Sequence, residues 1–256
     1  MNVLVTGGTG ALGRQVVTGL RASGHRARVL SRKPGTGDDW VVGNLATGTG
    51  IDQAVTGMDA IVHAGSATVQ PWRYHATDVV GTRRLLDAAK KAGIGHVLYI
   101  SIVGMEGIDY AYFKHKLAAE AIFREDIVPW TILRATQFHT LTERVLGLMA
   151  TLPGLATVPY SWQFQLCDAE DVAMRLVDIV ASQPLGMLPN YGGPKVQDFK
   201  TIAEAWLRAR RSRRRLLNLT IPLQFSRKFS EGAMLCPDHR DGTITWEKYL
   251  ESRYGP

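Results

Sequence analysis

Val3-Leu4-Val5-Thr6-Gly7-Gly8-Thr9-Gly10-Ala11-Leu12-Gly13 is the stretch that decides the fold. It opens on a β-rich run and passes into an amphipathic segment, Ala11–Ala22, with Leu12, Val16, Val17 and Leu20 on one helical face. Between them, Gly7, Gly10 and Gly13 stand at G-x-x-G-x-x-G spacing. In a strand–turn–helix, the first glycine permits the sharp turn and the second lets the backbone approach a pyrophosphate. The third lets the helix close on the strand. The amides of the first helical turn, around Thr9, Ala11 and Leu12, then face the phosphates from the positive end of the helix dipole. A glycine motif alone is a weak signal; its position directly after a strand and opening a helix makes it specific. Gly48 and Gly50 have no strand feeding them and read as an ordinary turn.

Outward from that loop, β-rich runs alternate with amphipathic ones. Arg26–Ser31, Trp40–Val42, Asp59–His63, His96–Ser101 and Val128–Arg134 read as strands. Helices are expected at 74–92, ending at Gly93, and at 110–125. This alternation predicts an α/β fold: a Rossmann-type, doubly wound parallel sheet with right-handed crossovers. After about Gln137 the pattern loosens. A helix near 140–151 is cut by Pro153, another follows the acidic cap Asp168-Ala169-Glu170-Asp171, and prolines 184, 189, 194, 222 and 237 break up the rest. Residues 1–136 are therefore expected to form the nucleotide-binding core, and 137–256 a small, mostly helical C-terminal lobe shaping a substrate pocket.

Bulk properties narrow the class. With 45% hydrophobic and 21% charged residues, the 256-residue chain is neither disordered nor membrane-spanning. Met1 leads at once into a strand, so no signal peptide is expected. Two cysteines, Cys167 and Cys236, supply neither a disulfide framework nor a zinc site. Reduced thiols, a cytoplasmic location, no metal and no membrane partner are the expectations. The net charge of +7 is concentrated in Arg208-Ala209-Arg210-Arg211-Ser212-Arg213-Arg214-Arg215. No aromatic residues interleave there to stack bases, so the run reads as a solvated helix end rather than a nucleic-acid surface.

The end of the second strand chooses the cofactor. An NAD site places a carboxylate there to hold the ribose 2′-hydroxyl. Here Leu30-Ser31-Arg32-Lys33 stands instead, and no acidic residue precedes Asp38. A hydroxyl and a guanidinium suit a 2′-phosphate, so NADP(H) is expected in preference to NAD(H).

With these segments in hand, the chain resembles the short-chain dehydrogenase/reductase superfamily, especially its atypical, NmrA-like branch. The similarity extends to Val42-Gly43-Asn44-Leu45, where the family places an Asp-Leu pair beside adenine, and to His63-Ala64-Gly65, which would lie under the adenosine and ribose. It includes Gly81-Thr82-Arg83-Arg84-Leu85-Leu86-Asp87-Ala88-Ala89, Tyr99-Ile100-Ser101, and the nicotinamide-side loop Ile132-Leu133-Arg134-Ala135-Thr136-Gln137-Phe138-His139. The tail Gly242-Thr243-Ile244-Thr245-Trp246-Glu247 resembles the branch's closing segment. Two departures stand out: Asn44 replaces the usual Asp, and Asp78 stands where sugar-modifying relatives usually carry Asn.

The resemblance implies proton relay by Tyr-x-x-x-Lys, whose spacing puts both groups on one helical face. Two frames overlap: Tyr110 with Lys114, and Tyr112 with Lys116. Leu117-Ala118-Ala119-Glu120 after Lys116 resembles the small-residue stretch behind the family lysine and favours Tyr112 and Lys116, with Lys116 also holding ribose. Ser101 is the candidate third catalytic group, although relatives carry that hydroxyl two positions further on, where this chain has Val103. Gln137, Phe138 and His139 are candidate substrate contacts. The reading that emerges is an NADPH-dependent reductase passing hydride to a small, fairly apolar quinone, enone or carbonyl. The alternative is a non-catalytic NADP(H)-binding redox sensor. A monomer or weak homodimer is expected.

Overall fold

The computed structural model describes residues 1–37 and 39–255; Asp38, which closes the acid-free stretch after the second strand, lies outside them. These residues fall into two compact units. The first comprises Met1–Ser101, Tyr110–Arg134 and Val172–Pro189; the second comprises Ile102–Asp109, Ala135–Asp171 and the chain from Asn190 onward.

The first unit is built on β1 (Asn2–Thr6), α1 (Ala11–Ala22), β2 (Arg26–Ser31), β3 (Trp40–Val42), α2 (Ile51–Val55) and β4 (Ala60–His63). It continues through α3 (Gly81–Lys91), β5 (His96–Ile102), α4 (Ala111–Glu125) and β6 (Trp130–Ala135). The chain then runs through α5 (His139–Met149), β7 (Leu155–Val158) and β8 (Gln163–Phe164) of the second unit. It comes back along α6 (Ala169–Val180) to β9 (Gly186–Met187).

The sheet has the order β3-β2-β1-β4-β5-β6-β9. β1 runs parallel to both β2 and β4, β4 to β5, and β6 to β9. β4 and the first six residues of β5 are buried throughout, as strands covered on both faces must be, and this explains their unbroken apolar runs. The order reverses between β1 and β4, whose final residues Thr6 and His63 stand in register. That reversal opens the crevice in which doubly wound sheets bind ligands. Below it, Leu4, Ile61, Leu85, Val97, Phe123 and Ile132 belong to one buried core.

The strand β9 was not expected. Two residues carry no periodicity, yet Gly186 and Met187 pair with Thr131 and Ile132 and extend the sheet. The C-terminal half of α6 belongs to the same unit, packing Val177 against Gly19 of α1. The division is therefore not a single cut after residue 136, because residues 172–189 rejoin the first unit.

The second unit adds β10 (Gln197–Asp198), α7 (Phe199–Ala209), β11 (Arg215–Asn218), α8 (Gln224–Ser230) and α9 (Trp246–Tyr254). Its core centres on Trp162, stacked on Phe199 and Phe229 with centroids 5.9 and 4.8 Å away. Two small sheets, β8 with β10 and β7 with β11, accompany the helices. The arginine run straddles the end of α7, a turn at Arg211 and the start of β11. Its arginines are exposed, and Arg210 lies over the Trp206 ring at 4.6 Å.

Two glycines predict opposite effects of the same substitution. A methyl group on Gly13 would overlap the Gly7 carbonyl, whereas Gly147, exposed within α5, has open space around it. Urea unfolding is expected to show Gly13→Ala destabilised by roughly 1–3 kcal/mol. Gly147→Ala is expected to gain about 0.5–1 kcal/mol from relief of backbone entropy.

Candidate cofactor and proton-transfer site

The glycine loop is shaped by what cannot fit beside it. Gly7 adopts a left-handed φ of 69°, and a Cβ there would fall 2.6 Å from the Ala64 carbonyl oxygen and 2.7 Å from the Gly65 nitrogen. The Gly10 amide donates to the Gly7 carbonyl at 2.8 Å and closes the turn. Gly10 then caps α1 without any side-chain hydrogen bond. The only atom a Cβ on Gly10 would meet is the Gly7 carbonyl oxygen, at 3.2 Å. The outer surface of the turn is therefore bare backbone at a helix N-terminus, whose first amides need an external acceptor. Thr9 and Ala11 edge this surface, while Leu12 is buried beneath it. A dinucleotide pyrophosphate fits such a cradle.

The groups expected on the adenosine side flank the same crevice. Ser31 is buried at the end of β2, its hydroxyl accepting from the Lys33 amide at 3.2 Å, and Arg32 beside it is exposed. Asp39, the nearest described carboxylate along the chain, is paired with Arg26 at 2.5 Å. Asn44 folds into a local turn, accepting from the Ala46 amide at 3.1 Å, and Leu45 is buried with its methyl 2.8 Å from where a Gly65 side chain would begin. Under Ala64 and Gly65, the Thr6 hydroxyl accepts from the Gly65 amide at 3.1 Å and meets His63 Nδ1 at 2.7 Å. The Thr82 hydroxyl spends its proton on the Asp78 carbonyl, so His63 Nε2, 3.0 Å away, must be the donor to it. This fixes one neutral tautomer. Burial, aided by the Lys116 charge, pushes the His63 pKa down to about 3.

The two overlapping Tyr/Lys frames separate cleanly. Tyr110 caps α4 and is 42% exposed, whereas Tyr112 and Lys116 are both buried. The Tyr112 hydroxyl lies 2.9 Å from Ser66 Oγ and 3.3 Å from Thr68 Oγ1. Ser66 in turn donates to Asp78, whose other carboxylate oxygen accepts from the Ala67 amide at 3.1 Å. Burial raises the Tyr112 pKa to about 12, against the hydrogen bonds from Ser66 and Thr68. Lys116 Nζ donates to the Ile100 carbonyl at 2.7 Å and sits 4.0 Å from the centre of the Tyr99 ring. Burial brings its pKa down to about 8, partly offset by the charges of Asp78 and Glu120.

Glu120, one turn beyond Lys116, fixes α4. Its buried carboxylate receives Arg134 Nε at 2.8 Å and Nη2 at 2.7 Å, and Arg124 at 2.8 Å. Ser101, expected at the catalytic centre, is buried within β5, and its hydroxyl meets no hydrogen-bond partner among the described residues; against its burial, Glu120 is held below the usual carboxylate range by Arg134 and Arg124. The hydroxyls meeting Tyr112 come instead from the segment after β4. Sequence reading missed Ser66 and Thr68 and assigned no role to Asp78. The only available signal was the run of hydroxyls following His63-Ala64-Gly65.

The second unit holds the remaining candidates. His139 starts α5 fully buried, with Nδ1 3.0 Å from Asp168 and its ring between Trp246 and Tyr249 at 5.5 and 5.0 Å. Burial works against the Asp168 carboxylate, but the His139 bond and the Glu170 amide hold its pKa below the ordinary value. His139 thus serves as a joint within this unit. Phe138 is half-buried and bridges backbone to backbone with Cys167. Both polar atoms of the Gln137 amide are enclosed without a hydrogen-bond partner among the described residues.

Known proteins resemble the chain along this same stretch. A family model described as NAD(P)H-binding matches residues 7–158. The (4-alkanoyl-5-oxo-2,5-dihydrofuran-3-yl)methyl phosphate reductase of Streptomyces griseus is 31% identical over 148 residues, covering 55% of this chain and 49% of that protein. The ceramide reductase of Caulobacter vibrioides is 28% identical over 199 residues, covering 73% and 63%. The chain thus spans about half to two thirds of these relatives' length. Among solved structures, an Agrobacterium tumefaciens short-chain dehydrogenase/reductase superfamily protein with bound NAD superposes with a TM-score of 0.74 at 21% identity, covering 98% and 95% of the two chains. A Staphylococcus aureus nucleoside-diphosphate-sugar epimerase reaches 0.77 at 15% identity, covering 98% and 100%. Glycine cradle, sheet order and family match agree: the chain belongs to the NAD(P)H-binding family.

Proposed function

We propose that this protein is an NADPH-dependent reductase acting on a small, fairly apolar molecule that carries a carbonyl, as a ketone, enone or quinone. The observation that carries the reading is the buried Tyr112–Lys116 face of α4, with the Tyr112 hydroxyl gathered to the end of β4 by Ser66 and Thr68. The relatives, a furanone phosphate reductase and a ceramide reductase among them, support the reaction class. When bound, the reduced nicotinamide supplies hydride.

Each residue then has a part. Ala11 and Leu12 offer backbone amides to the pyrophosphate, and the absence of a side chain on Gly10 keeps the approach clear. Ser31 and Arg32 take the 2′-phosphate. Leu45, Ala64 and Gly65 line the adenosine side. Lys116 holds the nicotinamide ribose and, as an ammonium, favours negative charge developing at Tyr112. Tyr112 gives its hydroxyl proton to the acceptor's oxygen, a transfer a neutral phenol can make while its pKa stays near 12 in the resting protein.

The test is NADPH oxidation, followed by its near-ultraviolet absorbance, against menadione, cyclohexenone, hexanal and ethyl acetoacetate. Turnover of at least one is expected, with Tyr112→Phe slower by about 10²–10⁴-fold on ketones and aldehydes. Tight NADPH binding with no turnover on any acceptor would reject the reductase and leave the redox sensor.

Cofactor choice has its own measurement. Arg32→Ala is expected to weaken NADPH binding by about 1.5–3 kcal/mol while leaving NADH binding unchanged; equal losses for both would remove the 2′-phosphate role. The pH profile follows from Lys116. Its ammonium is lost as pH rises through about 8, so kcat/KM is expected to fall there, and Lys116→Arg should move that limb to higher pH. A descending limb that stays put in Lys116→Arg would assign it to another group.

A further inference from the structure

We propose that Asp78, acting through Ser66, returns to Tyr112 the proton that Tyr112 gives to the acceptor. The inference rests on the reductase reading above and adds to it a source for the proton. Three groups stand in line within the first unit: the Asp78 carboxyl, the Ser66 hydroxyl and, 2.9 Å further on, the Tyr112 hydroxyl. Asp78 is 1% exposed and lies in a single wide π-helical turn, His75–Val80, just before α3.

Hydrogen-bond bookkeeping sets the direction of this line. A serine hydroxyl has one proton to donate and two lone pairs to accept with. When Asp78 is a carboxylate, Ser66 commits its proton there, and Tyr112 must point its own proton at Ser66 or Thr68. When Asp78 is a carboxylic acid, the order reverses. One carboxylate oxygen already accepts the Ala67 amide at 3.1 Å, so the acid proton belongs on the other, the one facing Ser66. Ser66 is then free to donate to the Tyr112 oxygen. The same atoms carry a proton towards Tyr112 only in this second arrangement.

The surroundings favour the acid form. Burial is the largest influence on Asp78 and raises its pKa; the bond from Ser66, the Lys116 charge, the Ala67 amide and His115 of α4 oppose it without cancelling it. Tyr74, Tyr99 of β5 and Tyr112 also feel its charge, and none of them is a cation.

The step balances. The Tyr112 O–H bond breaks and its proton bonds to the acceptor oxygen, while both reducing electrons arrive with hydride. The Ser66 proton moves to the Tyr112 phenolate, and the Asp78 proton moves to Ser66. Asp78 is left as a carboxylate and regains its proton from water. No electron passes along the line.

The deciding experiment is infrared difference spectroscopy of the cofactor-free protein, wild type minus Asp78→Asn, across pH. A protonated-carboxyl band is expected, titrating above the ~4 of an ordinary aspartate. Ser66→Ala should shift that band by removing its hydrogen-bond acceptor, and Ser66→Thr should restore its position. Absence of the band above pH ~4, or a band indifferent to Ser66→Ala, overturns the proposal whatever the activity. Turnover of ethyl acetoacetate separates the two claims. A loss on the order of 10²-fold in Ser66→Ala, recovered in Ser66→Thr, fits the relay. Wild-type rates in Ser66→Ala alongside a crippled Tyr112→Phe remove the relay and spare the reductase. Wild-type rates in Tyr112→Phe itself would remove the role of Tyr112 as donor.

Discussion

Backbone meets backbone where the glycine loop presses on the end of β4, and the nucleotide-binding unit is organised around that approach. No side chain can stand at Gly7, because the Ala64 carbonyl and the Gly65 amide occupy its place. None can stand at Gly13, because the Gly7 carbonyl does. The two contacts draw the start of α1 against the sheet where the strand order reverses. Closing β1 onto β4 in register also sets His63 between Thr6 and Thr82, a relay of neutral hydrogen bonds that ties the floor of the crevice to α3. The steric exclusion that permits the cofactor thus also holds together the elements around it.

Electrostatics in the same unit are governed by burial. Lys116, Asp78 and Glu120 are all withdrawn from water within a few turns of one another. Glu120 keeps its charge because two arginines reach it, a forked pairing that offsets desolvation. Lys116 has only a carbonyl, an aromatic face and more distant carboxylates, so its pKa falls towards neutrality. Asp78 has a hydroxyl and an amide, and its pKa rises. A buried lysine and a buried aspartate with pKa values moved in opposite directions are the kind of pair found at sites of acid–base chemistry. Glu120, by contrast, is structural: it fixes the helix on which Tyr112 and Lys116 ride.

Much of this was legible in the sequence, for physical reasons. Inner parallel strands are buried on both faces, so β1, β4 and β5 stand out as apolar runs, and the glycine spacing announces the loop. Tyr112 and Lys116 share a helical face by spacing, the small-residue stretch behind Lys116 favours their frame over that of Tyr110, and both lie buried where Tyr110 is exposed. Ser66 escaped because it meets Tyr112 across 46 residues of chain, and local patterns carry no information about such contacts. Ser101 looks catalytic from its place near the end of a strand, but the hydroxyls that meet Tyr112 are those of Ser66 and Thr68. Two-residue strands such as β9 leave no period to detect, and so the return of residues 172–189 to the first unit was invisible.

A crystal structure of the protein with NADPH bound would locate the cofactor against these residues directly. The pyrophosphate is expected against the amides of Ala11 and Leu12, the 2′-phosphate at Ser31 and Arg32, and the nicotinamide ribose within hydrogen-bonding reach of Lys116, with Tyr112 facing the hydride-bearing carbon. A cofactor whose nicotinamide lies away from α4, or a Tyr112 hydroxyl still sealed behind Ser66 and Thr68 with the cofactor in place, would contradict this arrangement.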